Sequence, residues 1–325
     1  MRYFKTIAAP LFASALLFSA GAPASAAGFP DKPVQMTVLF GSTAKTIAQV
    51  LSDEMSKSLG KPVVPVFKPG GGGAVGYTFV GSEPADGYNI VWNSNSISTA
   101  HLRGNMKLSY KDFAPIARIS VESLVVAVKG DSPWKSLKDI AAAAKKSSHK
   151  LKVGTSARGS FTQVTAVALF DALGIADKVI YVPLGGQGKI PTELVAGRID
   201  LAVQFPGQFV SFVKSGDARM IAMTAGERLS AFPNVPTAKE QGVDVDMSMW
   251  RGLAAPAGTP PAVIMKLQEA AKKATESAQF KATLAKLGAN VSYLDHDAFG
   301  KLIVKDDGRL DKIMGGLGLK KAPKS

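Results

Sequence analysis

Short apolar strand segments alternate with helix-periodic segments along almost the whole chain, and this order restricts the fold more than any single motif. Val34–Phe40 is a strand candidate. Ile47, Leu51, Met55 and Leu59 follow at four-residue spacing, which marks one buried face of a helix. Lys61-Pro62 ends that helix, and Val63–Phe67 returns as a strand. Gly70–Gly73 turns into a helical Ala74–Val80, and Asp86-Gly87 turns into the strand Tyr88–Trp92. Such βαβαβ order predicts a parallel sheet with helices on both faces.

The pattern then restarts. Leu124–Val128, Leu151–Val153, Val179–Val182, Leu201–Val203 and Met220–Thr224 read as strands, separated by helices at Ser136–Lys146, Thr162–Leu173 and Ile190–Ala196. Pro261–Ser277, Gln279–Leu287 and Asp297–Ile313 supply helices that complete the first unit. The expectation is two doubly wound α/β domains, one made of residues 27–123 and 225–325, the other of 124–224. Ligands of open α/β sheets sit beyond the carboxyl ends of the strands, where helices begin. Two facing units therefore predict a cleft lined by Gly41–Lys45, Lys68–Gly73, Asn93–Thr99, Gly154–Thr162, Leu184–Lys189 and Gln204–Gln208. These loops are rich in Gly, Ser, Thr, Asn and Gln, which suits hydrogen bonding to a polar ligand.

The first residues read as an export signal. Arg2 and Lys5 precede an almost wholly apolar Ile7–Ala20, and Ala24-Ser25-Ala26 offers a small-x-small cleavage site. The apolar run is short for a bilayer span of roughly 20 residues, so residues 1–26 are expected to be cleaved and the mature chain to be a soluble periplasmic protein. The chain has no cysteine, so no disulfide framework holds it. Its formal net charge is +14, and loss of Arg2 and Lys5 leaves +12, a balance that attracts anions at long range. The lysines are dispersed among Ala, Asp and Glu without interleaved aromatics, which argues against a nucleic-acid partner.

Gly41-Ser-Thr-Ala-Lys45 enters the first helix. A helix N-terminus has unpaired N–H groups and a partial positive charge, and therefore favours anions. Ser42, Thr43 and Thr46 add hydroxyls and Lys45 a full charge; a simple helix cap is the alternative reading. The turn is not a P-loop, because the glycines are missing from the required spacing. Gly71, Gly73 and Gly76 match GxGxxG after a strand, but the next strand ends in Asn93 rather than an acidic residue, so a tight turn is the better reading. Gly154-Thr-Ser-Ala-Arg-Gly-Ser160 is not a nucleophile elbow, since Arg158 stands at the second glycine position. His101, His149 and His296 are scattered: the last two read as structural or solvated, and His101 as surface or cleft border. With no cysteine, they predict no metal site and no cofactor.

At the cleft loops the chain resembles the Bug/TctC family, the extracytoplasmic receptors of tripartite tricarboxylate transporters. The likeness runs through Phe29-Pro-Asp-Lys-Pro33, Leu59-Gly-Lys-Pro-Val63, Lys68-Pro-Gly-Gly-Gly-Gly73 and Pro84-Ala-Asp-Gly-Tyr88. It continues through Lys111-Asp-Phe-Ala-Pro115, Gly197-Arg-Ile-Asp-Leu201, Phe232-Pro-Asn-Val-Pro-Thr237 and Ala254-Ala-Pro-Ala-Gly-Thr-Pro260. The resemblance implies a type II periplasmic-binding-protein fold that closes on a carboxylate, and a monomer that delivers it to a small and a large membrane subunit. The expected ligand-binding set is Ser42, Thr43, Lys45, Gly72, Gly73, Asn93, Ser94, Asn95 and Ser96 from the first domain. Thr155, Ser156, Arg158, Ser160, Thr162, Gly186 and Gln204 complete it from the second. Hinge strands are expected near Ile119–Val125 and Thr224.

The chain also departs from the family pattern. Its first loop is about two residues shorter than usual, with Lys45 where an Asp is expected. Arg158 lies in a usually uncharged loop, Gln204 replaces a common acidic residue, and Arg251 follows Trp250 where a second aromatic is usual. Each change makes the presumed cleft more positive or less negative. They predict a ligand with more negative charge than the amino acids or amides some relatives bind. Arg158 and Lys45 are read either as direct contacts or as rim cations that steer anions. A periplasmic sensor, an exported hydrolase and an anionic-surface binder are the alternative functions.

Overall fold

The computed structural model describes residues 28–322 apart from Ser42, Gly186 and Gln187; the expected export signal lies outside them. Its first half contains β1 (Val34–Val38), α1 (Thr43–Leu59), β2 (Val63–Phe67), α2 (Ala74–Gly81), β3 (Asn89–Ser94), α3 (Ser96–Leu102) and β4 (Phe113–Ser123). There follow β5 (Val125–Lys129), α4 (Leu137–Lys146), β6 (Leu151–Thr155), α5 (Phe161–Ala172), β7 (Val179–Pro183), α6 (Lys189–Val195), β8 (Leu201–Gln204), α7 (Val210–Lys214) and β9 (Ala218–Met223). The last section holds β10 (Ser248–Pro256), α8 (Pro261–Glu276), α9 (Ala278–Leu287), β11 (Ala289–Leu294) and α10 (His296–Gly316). No helix among the described residues is long and apolar enough to cross a membrane.

The strands form two sheets, ordered β11-β4-β10-β3-β1-β2 and β7-β6-β8-β5-β9. The helix after β1 forms as its spacing predicts: Ile47, Leu51 and Met55 are fully buried against β1 and α8, and Gly60 ends the helix at φ 67°. Pro261 opens α8, where its fixed φ is suited to a first turn. Helices cover both faces of the first sheet. Its core lies between the sheet and α1, α8 and α9 on one face, and between the sheet and α2, α3 and α10 on the other.

The sheets are mixed, not parallel as the βαβαβ order predicted. β1 pairs parallel with β2 and β3, and β6 with β7 and β8. β10 runs antiparallel to β3 and β4, β4 to β11, and β5 to β8 and β9. The pattern was hidden because the added strands carry residues that read as breakers or charge: Pro115 and Arg118 in β4, Arg251 and Gly252 in β10. Gly252 is required by close approach, since a Cβ there would stand 2.5 Å from both Ala117 O and the Phe299 ring. A bulge between Arg251 and Gly252 accommodates the irregularity.

The chain passes between the sheets at Ser123–Leu124. The segment from Ala238 to Met249, together with Leu310 and Met314 of α10, packs into the core of the second sheet. Thr224 clips the crossing: its Oγ1 donates to Met247 O at 2.7 Å, its N–H donates to Leu124 O at 2.9 Å, and the Met247 N–H donates to its carbonyl.

Candidate functional site

A cleft of about 440 Å³ lies between the two sheets. Its near wall is built at the carboxyl ends of β1, β2 and β3, from Phe40, Gly41, Thr43, Pro69, Gly70, Gly72 and Ser96. Its far wall is the loop Ser156–Thr162 after β6, with Gln204, Phe205 and Gln208 after β8. α1, of 17 residues, and α5, of 12, both begin at this cleft, so two helix N-termini present partial positive charge to one space. Ser160 caps α5 by accepting the Gln163 N–H at 3.4 Å, and its Oγ also pairs with Thr162 Oγ1 at 2.9 Å. Gln204 Nε2 donates to Ser156 Oγ at 2.7 Å and ties the two far-wall loops together.

Of the residues singled out in the sequence, Thr43, Gly72, Ser96, Ser156, Arg158, Ser160, Thr162 and Gln204 line the cleft. Ser42 and Gly186 lie outside the described residues, and none of the described residues of Leu184–Lys189 is in the lining. Others stand behind the wall. Asn93 accepts from Tyr77 Oη at 2.7 Å, Ser94 Oγ lies 2.7 Å from Ser96 Oγ, and Gly73 starts α2 at φ 104°. Burial pushes the Tyr77 phenol up to about 12, against the hydrogen bonds it makes with Ser96 and Ser94. Asn95 donates to the buried Asp306 carboxylate at 3.1 Å, as does Trp250 Nε1 at 2.9 Å. Thr155 is fully buried, and its Oγ1 has no partner among the described residues. Lys45 is exposed outside the lining, its Nζ 5.7 Å from the centroid of the Phe67 ring, which does line the cleft. His101 is half-buried, with Nδ1 3.1 Å from Leu108 O, and is not part of the wall.

Arg103, Asn105, Phe67, Met249 and Arg251 also line the cleft and were not in the expected set. Arg103 follows α3 and crosses the cleft so closely that a Cβ on Gly159 would meet its guanidinium. Arg251 reaches the site through sheet topology: because β10 is antiparallel to β3, the first residues of β10 lie beside the carboxyl end of β3, with Arg251 opposite Ser94. Alternation along the strand sends Met249 and Arg251 to the cleft, while Trp250 packs edge-on against Phe299 on the other face. Glu122, opposite Met249 on β4, is the diagonal neighbour of Arg251 and pairs with its Nε. The departure at Arg251 was visible in the sequence, but the strand that aims it was not.

The electrostatic character of the wall is one-sided. Arg103, Arg158 and Arg251 are in it, and no Asp or Glu is among the described lining residues. Two buried polar atoms in residues of the lining, Arg251 Nη1 and Gln208 Oε1, have no hydrogen-bond partner among the described residues. Buried polar groups in folded proteins are nearly always paired, so these two atoms mark unmet hydrogen-bonding capacity in the wall. Phe40, Phe67, Phe161 and Phe205 supply an apolar surround.

The model for the tripartite tricarboxylate transporter family receptor, TctC, matches residues 47–319. The chain belongs to this family of receptors. A UPF0065 protein in the TAR-I ttuE-ttuC' intergenic region of Agrobacterium vitis is 32% identical over 267 residues, covering 80% of this chain and 76% of that protein. Among solved structures, a TctC solute binding protein from Polaromonas is similar at a TM-score of 0.77 and 26% identity, covering 89% of this chain and 99% of the other. MatC from Rhodopseudomonas palustris, with bound malate, is similar at a TM-score of 0.75 and 26% identity, covering 88% and 99%. The receptor thus has the two-sheet α/β architecture of solute-binding proteins of the TctC type, with its cleft where the sheets meet.

Proposed function

We propose that this receptor captures a small carboxylate in the periplasm and hands it to the membrane subunits of a tripartite transporter. The observation that carries the reading is the cleft wall: three arginines, two helix N-termini and no acidic side chain among its described residues. An anion gains there from charge-assisted hydrogen bonds. The hydroxyls of Thr43, Ser96, Ser156 and Ser160 offer further donors, and the phenylalanines enclose the carbon skeleton. MatC, with malate bound, supports an acid of this size.

Residues 1–26 direct export and are removed. The mature chain works as a monomer of two lobes, 27–123 with 225–325 and 124–224, which close around the ligand and reopen to release it unchanged. Rotation occurs where Ser123–Leu124 and Thr224 connect the sheets, so apparent affinity includes the cost of closure. Serine chemistry is not invoked, since Ser156 and Ser160 are engaged by Gln204 and Thr162 and no histidine is among the described lining residues. A thermal-shift screen over mono-, di-, tri- and aromatic carboxylates tests the proposal. A ligand at about 100 times its Kd adds about 2.7 kcal/mol to stability, readily visible as a higher melting point. A melting point unmoved by every carboxylate refutes it.

A further inference from the structure

We propose that Arg251 is the specificity-determining residue of the cleft: held by Glu122, it receives a second anionic group of the ligand and so selects dianions over monoanions. This inference rests on the carboxylate reading and concerns how many acid groups the ligand carries.

The side chains of Arg251 and Glu122 are 5% and 3% exposed, and Glu122 Oε1 engages the Nε edge of the guanidinium. Nη1 lies away from that edge, is buried, has no partner among the described residues, and belongs to a residue of the cleft wall. A buried ion pair alone is a poor source of stability, because desolvation offsets the attraction. This one leaves a buried donor unsatisfied as well, which adds a further cost. What the pair does achieve is orientation. Glu122 restrains a flexible side chain at the cleft wall, so a ligand need not order it.

An oriented, desolvated cationic donor favours an ionised acceptor over a neutral one, because charge-assisted bonds are about twice as strong. The balance of charges fits the same conclusion. Glu122, behind the wall, neutralises Arg251, and Arg103 and Arg158 remain as the other two ionisable side chains among the described lining residues. Two surplus positive charges match two carboxylates. Arg103 is half-buried and Arg158 exposed, so both stand nearer solvent than Arg251. A first acid group is held by the loops and the α1 and α5 termini, and the second extends to Arg251.

Calorimetric titration with matched probes tests this: butyrate against succinate, hexanoate against adipate, benzoate against terephthalate, on protein refolded from denaturant to remove co-purified ligand. The dianion is expected to bind about tenfold more tightly, or better, in at least one pair. In Arg251→Met combined with Glu122→Gln, which leaves neither charge buried alone, that ratio falls to about threefold or less while monoanion affinity holds within about threefold. Equal binding of mono- and dianions by the parent overturns the inference, as does a folded double variant that keeps the parent ratio. If the double variant does not fold, Glu122→Gln alone decides. The amide oxygen still accepts from Nε and holds the guanidinium while its charge is no longer offset, so the dianion preference rises, and an unchanged or lower ratio overturns the inference. Binding of none of the probes overturns the carboxylate reading itself, a result distinct from equal binding.

Discussion

Gly159 is the point where the far wall of the cleft touches an arginine from the near wall, and replacing it with alanine tests whether that approach exists in solution. Its φ is +70°, a left-handed conformation that costs an L residue about 1–2 kcal/mol. A Cβ there would stand 2.3 Å from Arg103 Nη1 and 2.5 Å from its Cζ and Nε. The guanidinium is the end of a flexible chain, so it swings away and the backbone stays in place. The stability loss should therefore come from the backbone term alone. At about 2–4 °C per kcal/mol for a protein of this size, the melting point of Gly159→Ala falls by roughly 2–8 °C. Displacing Arg103 also removes a cation from the mouth of the cleft, and affinity for the best carboxylate should weaken about fivefold, near 1 kcal/mol.

Calorimetry on Gly159→Ala, Arg103→Ala and the double variant closes a double-mutant cycle. If the two residues act through one contact, the double variant binds about as well as Arg103→Ala alone. Losses that add to within about 0.5 kcal/mol would show independent sites and refute the reasoning. An unchanged melting point in Gly159→Ala would refute the backbone assignment.

Two further predictions concern the scaffold behind the cleft. Asp306, 5% exposed, accepts from Asn95 and Trp250 and pairs with Arg309. Asp306→Ala should cost about 3–5 kcal/mol in denaturant unfolding by leaving those partners buried and unpaired, and a loss under about 1 kcal/mol would mean the network does not hold α10 to β10. The Tyr77 phenol, raised from 10.0 to about 12 by burial, keeps its proton in the folded state after the unfolded chain has lost it. Its contribution is complete below about pH 10 and is lost as pH rises toward 12, about 2–3 kcal/mol in all. Tyr77→Phe should flatten that part of the alkaline decline in melting point, and an identical slope in parent and variant would contradict the burial.

The helices with a clear period were legible in the sequence because one face of each packs on a sheet. Ile47, Leu51 and Met55 marked α1 without knowledge of the partner, and the short apolar runs marked β1, β2, β6 and β8 in the same way. Cleft loops were also legible, since loops that follow parallel strands and precede helices collect at one edge. Thr43, Ser96, Ser156, Ser160, Thr162 and Gln204 were therefore placed near one another from order along the chain. Asn93 and Ser94, at the end of β3, and Asn95 after it were expected in such a loop too, yet their side chains turn toward Tyr77, Ser96 and Asp306. Position near a strand's carboxyl end says nothing about which way a side chain faces.

Order and periodicity thus determined the α/β class and the strand edge at which the cleft loops gather, because each depends on local spacing. Only the tertiary structure decided which residues complete the wall. β4 and β10 carry proline, arginine and glycine within their runs and are strands because neighbouring strands pair with them. That pairing is antiparallel and long-range. It brings Arg251 beside Ser94 and Glu122 beside Arg251, a charge pair joined across 129 positions of sequence. No local pattern specifies such a register.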